Sequence, residues 1–378
     1  MHPVHMSDSK VYFTDMRCGT NDTLLKKTAR LIEAAGFDGI DMDRRFVAIK
    51  THFGEYGNLS YLRPNYSKVI GDAVRAKGGI PFLTDTNTLY VGMRKHAVEH
   101  LENAMLNGFT PMTTGCQVII ADGLKGTDEV EVPIDGEYVK EAKIGRAIVD
   151  ADVLVTLSHF KCHEMTGFGG ALKNLAMGCA SRRGKMEMHA AGKPKVDADA
   201  CRGCGRCPKV CAQDALAIVD GKAILDDGRC VGCGRCIAVC NFDAIAADCD
   251  ENNDILNAKI VEYAMAAVKD KPHFHICVIS DVSPFCDCHA ENDTPVIPDV
   301  GILASFDPVA LDRACVDLVL GQKPLPGCRL YDPVCKSIEG DLLRRNQPTT
   351  NWASTFDHAE RMGFGNVGYE LVDISRPM

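Results

Sequence analysis

Residues 153–175 read VLVTLSHFKCHEMTGFGGALKNL. The first six form an apolar, β-branched run that reads as a strand. They lead into a polar segment bearing His159, Lys161, His163 and Glu164, after which three glycines open a helix that carries Lys173. Strand, glycine turn and helix in that order make one unit of a parallel α/β sheet. Upstream, strands at 11–16, 46–52, 80–84 and 117–121 alternate with helices at 23–35, near 64–77 and near 93–107. Leu24, Thr28, Leu31, Ile32 and Ala35 give the first helix its apolar stripe. A hairpin-like stretch at 129–134 and a helix near 138–149 complete the approach to residue 153. Further on, a helix at 255–268, a strand at 274–280 and a helix at 307–320 resume the pattern. This order predicts an α/β fold with a largely parallel sheet flanked by helices.

Two copies of one cysteine spacing interrupt the alternation, Cys201-x2-Cys204-x2-Cys207-x3-Cys211 and Cys230-x2-Cys233-x2-Cys236-x3-Cys240, 29 residues apart. Three thiolates at this pitch wrap one face of an iron–sulfur cubane, and the fourth usually reaches a neighbouring cluster. The spacing therefore assigns Cys201, Cys204, Cys207 and Cys240 to one [4Fe–4S] cluster, and Cys230, Cys233, Cys236 and Cys211 to a second. Zinc ribbons use two separated Cys-x2-Cys pairs, without a third and fourth cysteine in each run. The runs also form an internal repeat, with eleven identities over the seventeen positions 201–217 and 230–246. Gly203, Gly205, Gly232 and Gly234 allow the backbone to curl around a cubane and turn its amides to the sulfurs.

The repeat resembles the bacterial-type two-cluster ferredoxin module. It departs from that pattern where proline usually follows the fourth cysteine, since Ala212 and Asn241 stand there. Residues 184–200 are small, polar and weakly periodic, and read as a linker into the module. The expected organisation is an α/β domain in two parts, 1–190 and 251–378, with a two-[4Fe–4S] ferredoxin-like module inserted at 191–250. Two separate α/β domains flanking the module are the alternative.

The chain has 378 residues, 46% hydrophobic and 25% charged, as an ordinary globular protein does. No apolar run approaches the roughly 20 residues of a membrane span. The N-terminus lacks the basic-then-apolar order of a secretory signal, so a cytoplasmic location without membrane insertion is expected. Cluster thiolates must stay reduced, which agrees with that compartment and argues against disulfides. A net charge of −9, no Lys/Arg stripe and a single tryptophan, Trp352, argue against a nucleic-acid partner. A redox partner protein or a small anionic ligand fits better.

In a parallel sheet the loops after the strands converge at the carboxyl edge. There the sequence places His52, then Asp85, Thr86 and Asn87, then His159, Lys161, His163 and Glu164, and finally Asp281, Cys286, Asp287, Cys288 and His289. Lys161 and Lys173, together with amides at the start of the glycine-led helix, would attract a phosphate or carboxylate. Close helix–sheet packing is the other reading of those glycines. Cys286 and Cys288 are soft donors that could hold a further metal or act as a redox dithiol, a third ligand coming from Cys162, Cys179, Cys328, Cys335 or a histidine. Cys116, Cys277 and Cys315 lie in apolar stretches and read as core. Asp307, before Pro308, reads as a helix cap. No Walker motif or dinucleotide fingerprint occurs, so a nicotinamide cofactor is unsupported, and flavin has no sequence signal of its own.

The stretch 159–189, the two cysteine runs, SPFCDCH at 283–289 and PDVGILASFDPVALD at 298–312 resemble the iron–sulfur proteins of the domain-of-unknown-function family 362. The resemblance covers most of the chain. It implies a cytoplasmic protein with two [4Fe–4S] clusters on an α/β domain, and brings no settled substrate. The histidine-bearing strand ends also resemble lactate-racemase-type α/β domains.

The leading functional expectation is electron transfer or redox chemistry at the α/β domain. As an enzyme the protein would be an iron–sulfur oxidoreductase. His52, His159, Lys161, His163, Lys173 and His189 are the candidate site, lysines binding an anion and histidines moving protons or holding metal. The alternatives are a cluster carrier or maturation factor, and a metal-dependent isomerase or racemase with structural clusters.

Overall fold

Side chains of a strand alternate between two faces. In the strand Phe46–Thr51 both faces are apolar, because Val47 and Ile49 pack to one side and Ala48 to the other. Such a strand needs a helical layer on each side. A computed structural model, describing residues 9–89, 92–189, 193–211, 213–230, 235–247 and 253–375, has that three-layer arrangement.

Its sheet is built from β1 (Ser9–Asp15), β2 (Phe46–Thr51), β3 (Ile80–Asp85), β4 (Gln117–Ile120), β5 (Val153–His159), β6 (His273–Ile279), β7 (Gly301–Ser305) and β8 (Tyr369–Asp373). The spatial order is β8-β1-β7-β6-β5-β2-β3-β4. All run the same way except β7, which is antiparallel to β1 and β6. Helices α1 (Leu24–Ala34), α2 (Pro64–Ala76) and α3 (Ala97–Leu106) cover one face through Leu31, Ile70, Val74 and Ala104. The other face carries α4 (Ala171–Cys179), α5 (Arg182–His189), α6 (Asn253–Val268), α7 (Pro308–Leu320) and α8 (Ala353–Met362).

From β2 the chain builds outward through β3 to β4; it then returns to lay β5 on the other side of β2 and continues to β6. The strand order therefore reverses between β2 and β5. In open α/β sheets the crevice beyond the carboxyl ends at such a reversal is where ligands bind.

The strands and helices read from sequence recur with ends shifted by one or a few residues, and Asp307 caps α7 by accepting the amides of Val309 and Ala310. Cys116, Cys277 and Cys315 are fully buried. Two expectations are corrected. The helix near 138–149 is instead a strand, Glu141–Gly145, paired antiparallel with Glu129–Pro133, and only Arg146–Asp150 is helical. The buried Glu262 carboxylate accepts the amides of Glu137, Tyr138 and Val139, which removes that segment from helical hydrogen bonding. Residues 184–200 are not simply a linker. They include most of α5, whose Met186 and Met188 are fully buried, so packing overrides a weak periodic signal.

In the cysteine-rich region Pro194–Val196 pairs antiparallel with Ile245–Ala247, and Leu216–Val219 with Lys222–Leu225. Short helices occupy Arg206–Val210 and Arg235–Val239. Cys201, Cys207, Cys236 and Cys240 share a small core with Leu216, Ile237 and Ile245. Cys233, Ala212, Gly232 and Gly234 lie outside the described residues. No disulfide joins cysteines among the described residues.

Candidate functional site

Burying a lysine inside a sheet demands a counter-charge. Lys50, near the end of β2, is fully buried, and its Nζ lies 2.9 Å from Asp85 Oδ1 at the end of β3 and 2.7 Å from Asn174 Oδ1 on α4. Burial opposes ionisation of Asp85, but Lys50 and His100 overcome it and hold the carboxyl well below its usual range. This pair floors a cavity of about 70 Å³ at the carboxyl edge. Helix α4 comes close enough because residue 178 is glycine, where a Cβ would stand 2.4 Å from Lys50 Nζ.

Five cationic side chains, Lys50, Arg94, Lys161, Lys173 and Lys185, line the cavity with one carboxylate, Asp85. Arg94 is itself buried, bound through Nε to Glu55 Oε2 at 2.9 Å and through Nη2 to the Cys288 carbonyl at 3.2 Å. Lys161 lies 3.0 Å from Asp287. Burial alone would lower its ammonium, but Asp287 outweighs this and holds it above its ordinary value. Among the described residues, neither Lys173 nor Lys185 has a carboxylate within ion-pair distance. Lys185 donates to Thr86 Oγ1 and to the Ala180 carbonyl, and burial pulls its ammonium down to about 8. A buried surplus of positive charge suits an anionic ligand.

The histidines divide into different environments. His52 Nε2 lies 2.9 Å from Arg94 Nη1 while Nδ1 accepts the Gly54 amide at 2.9 Å; burial and then Arg94 hold it well below its ordinary pKa. His159 points both ring nitrogens at acceptors, Asp287 Oδ2 at 2.8 Å and the Ser280 carbonyl at 2.7 Å. His189, brought in by α5, is pushed down to about 3 by burial and by Lys173, so near neutral pH its ring is uncharged. His163 does not line the cavity. Its Nδ1 accepts the amides of Met165 and Thr166, each at 3.2 Å, and the ring stands behind Cys286 and Cys288.

Five of the six site residues read from sequence therefore meet in one cavity, and His163 sits directly behind it. The expected anion site at the start of α4 is corrected. The amides of Ala171 and Leu172 already bind the Asp312 carboxylate from α7, at 2.6 and 2.8 Å. A Cβ at Gly170 would stand 2.3 Å from that carboxylate, so this glycine serves close packing. Sequence reasoning missed Lys50, Arg94, Asn174 and Lys185. A lysine inside the otherwise apolar FVAIKT was the one available signal.

A second, smaller cavity lies in the cysteine-rich region, lined by Cys201, Cys204, Cys207 and Cys240. Gly203 and Gly205 adopt positive φ of 62° and 71° where the chain turns around it. Cys201 Sγ accepts the Ala223 amide at 3.3 Å, and Cys211 Sγ accepts the Ala215 amide at 3.2 Å.

Fold and site together define an α/β protein with a buried cationic cavity at the sheet's carboxyl edge. The family described as "Domain of unknown function (DUF362)" matches residues 47–317, and the chain belongs to that family. Among solved structures it is similar to the lactate racemase apoprotein from Thermoanaerobacterium thermosaccharolyticum, at 14% identity and a TM-score of 0.39, covering 72% of this chain and 51% of that one. It is also similar to a structural-genomics protein from Thermotoga maritima, at 14% identity and a TM-score of 0.41, covering 79% of this chain and 59% of that one. The chain thus spans between half and three fifths of the length of these structures. No curated protein matches its sequence. Among the described residues no helix is long and apolar enough to cross a membrane.

Proposed function

We propose that the protein is a cytoplasmic iron–sulfur oxidoreductase in which residues 191–250 form an inserted two-cluster module serving the cationic cavity. Cys201, Cys204, Cys207 and Cys240 would hold one [4Fe–4S] cluster and Cys230, Cys233, Cys236 and Cys211 the other. The donor set fits the group. The four cysteines expected for the first cluster line one cavity although Cys240 comes from the second run, and amides point at Cys201 and Cys211 as they do around cluster thiolates. Such clusters supply one-electron transfer when bound.

One observation carries the link to the cavity. At three places a residue lining it is followed in the chain by one that touches the cysteine region. Thr88 precedes Leu89, Arg94 precedes Lys95, and Lys185 precedes Met186. Leu89 and Met186 pack in the cysteine core, and Lys95 Nζ donates to the Cys240 carbonyl at 3.3 Å and pairs with Asp243 at 2.6 Å. The cationic cavity and the cysteine region thus share a wall at these three points.

In this reading Lys173 and Lys185 bind the anionic end of the substrate, and Lys161 is held in place by Asp287. Uncharged His189 serves as a hydrogen-bonding group of the cavity wall. His159, with both nitrogens engaged, positions Asp287.

The test is iron, sulfide and EPR analysis of anaerobically purified protein, followed by reoxidation of the reduced protein with small carboxylates and phosphate esters. About eight irons and eight sulfides are expected, with reoxidation by one anion class that Lys173→Met slows at least tenfold at unchanged iron. Absence of iron, or clusters released intact to an acceptor protein without redox turnover, would overturn the reading.

A further inference from the structure

His163 Nδ1 accepts the amides of Met165 and Thr166, so the ring proton sits on Nε2 and that nitrogen is a donor. It donates to the sulfur of Cys286, which lies with Cys288 in the loop after β6 and faces the cationic cavity. Glu164 Oε1, 3.7 Å from the same nitrogen, is bound by His289 instead, at 2.8 Å. Two further donors converge on Cys286 Sγ, the Cys288 amide at 3.4 Å and Lys173 Nζ at 3.6 Å. A sulfur that receives an imidazole N–H, an amide and an ammonium is arranged to carry charge as a thiolate. The Cys288 thiol lies beside it, and the two titrate as one unit. The hydrogen bond between the sulfurs lets one proton leave below the ordinary thiol value and, with burial, holds the second up to about 12, so a single negative charge is shared. His163 and Lys173 draw that charge to Cys286.

We propose that Cys286 is a catalytic nucleophile in the wall of the cationic cavity, and that it adds to the carbonyl carbon of a short 2-oxo acid. This deepens the reading of the cavity as an anion site and rests on it, but not on the clusters. The cavity of about 70 Å³ holds roughly five water-sized groups, so the acid is a short one. With its carboxylate on Lys173 and Lys185, the carbonyl carbon next to that carboxylate comes within reach of Cys286 Sγ, because Lys173 Nζ touches the same sulfur. The C–S bond forms as the carbonyl π bond breaks, its electron pair goes to the oxygen, and the Lys173 ammonium protonates that oxygen. The product is a thiohemiketal, or a thiohemiacetal where the acid is also an aldehyde, and no oxidant is consumed. His163 is a positioning residue, which reaches the carbonyl only through the sulfur.

The probes are iodoacetate, a short anionic electrophile from which iodide leaves as the C–S bond forms, and its neutral counterpart iodoacetamide. Each is applied to full-length protein purified anaerobically, with adducts located by peptide mass spectrometry and iron measured in the same samples. Rates at Cys286 are taken relative to those at Cys18, an exposed thiol of the same chain. The preference for iodoacetate over iodoacetamide should be about tenfold or more greater at Cys286 than at Cys18 at low salt. Glyoxylate should slow the alkylation of Cys286, and acetate at the same concentration should slow it far less. Lys173→Met should abolish the preference while Cys18 reacts as before, and Cys288→Ser should still be modified at Cys286. The wild-type comparison requires no variant to fold. An adduct on Cys288, or on neither cysteine, refutes the nucleophile. Equal preference at Cys286 and Cys18 refutes the anion reading and this proposal with it, and equal protection by acetate and glyoxylate refutes the covalent step. Iron is a separate readout, so the cluster reading fails independently.

Discussion

Lys185 shows how burial turns an ordinary residue into one that senses pH. Its ammonium is fully enclosed, so folding lowers its pKa from 10.5 to about 8. Between those values the unfolded chain binds the extra proton and the folded one does not, so stability attributable to this group rises with pH across that window. Below pH 8 the charged lysine is a constant cost. Replacing it by methionine should therefore change stability in a pH-dependent way. The difference between Lys185→Met and wild type should shift by roughly 3 kcal/mol in favour of wild type from pH 7 to pH 10.5. Paired urea melts at each pH measure this, and a flat difference would show that Lys185 is solvated in the folded protein. His189 behaves oppositely to a surface imidazole, since a folded pKa near 3 makes acid below about pH 6.5 destabilising through this group. Sequence showed His189 as a candidate but gave no hint of Lys185 four residues before it, because only packing distinguishes a buried lysine from the solvated ones around it. Arg94 was invisible for the same reason, its partners Glu55 and Cys288 being distant in the chain.

Helix α4 carries conflicting demands that local propensity cannot show. Gly178 lies in its last turn, and glycine in a helix costs about 1 kcal/mol against alanine. The Lys50–Asp85 pair explains why glycine stands there. Gly178→Ala would drive a methyl group into Lys50 Nζ, which Asp85 and Asn174 hold in place. Overpacking costs about 1–3 kcal/mol, and loosening a buried ion pair adds to it, so the steric term exceeds the propensity gain. A net loss of roughly 1–3 kcal/mol in a denaturant melt is expected; a stabilised variant would mean that Lys50 is not confined. The other end of the helix teaches a similar lesson. The glycine-led start of α4 suggested an anion site, but Asp312, five residues beyond the cap of α7, supplies the anion from within. Burial raises that carboxyl to about 7 despite the two amides it accepts. Strand and helix periods placed both elements correctly; which charged residue meets which helix end depends on tertiary packing.

At the scale of the molecule, the question is whether the cysteine region is an insertion or part of the α/β core. Its entry strand Pro194–Val196 pairs with its exit strand Ile245–Ala247, so the two ends of the segment lie side by side and a short loop could join them. Among the described residues its contacts to the rest of the chain include Leu89, Met186, the Lys95–Asp243 pair and a cleft in which Lys209 and Val210 face Leu124 and Lys125. Exposing two buried apolar side chains costs roughly 1.5–3 kcal/mol each, and the partly exposed ion pair adds little. That loss is small against the two large cores on the faces of the sheet. Replacing residues 193–247 by a short Gly/Ser loop should therefore leave a cooperatively folding α/β protein. Its melting temperature should fall by several degrees and, under the cluster proposal, its visible absorption should vanish. Calorimetry and absorption spectra of the shortened chain decide the matter. If it fails to fold, the cysteine region stabilises the cavity walls through Thr88, Arg94 and Lys185, and the protein is one cooperative unit.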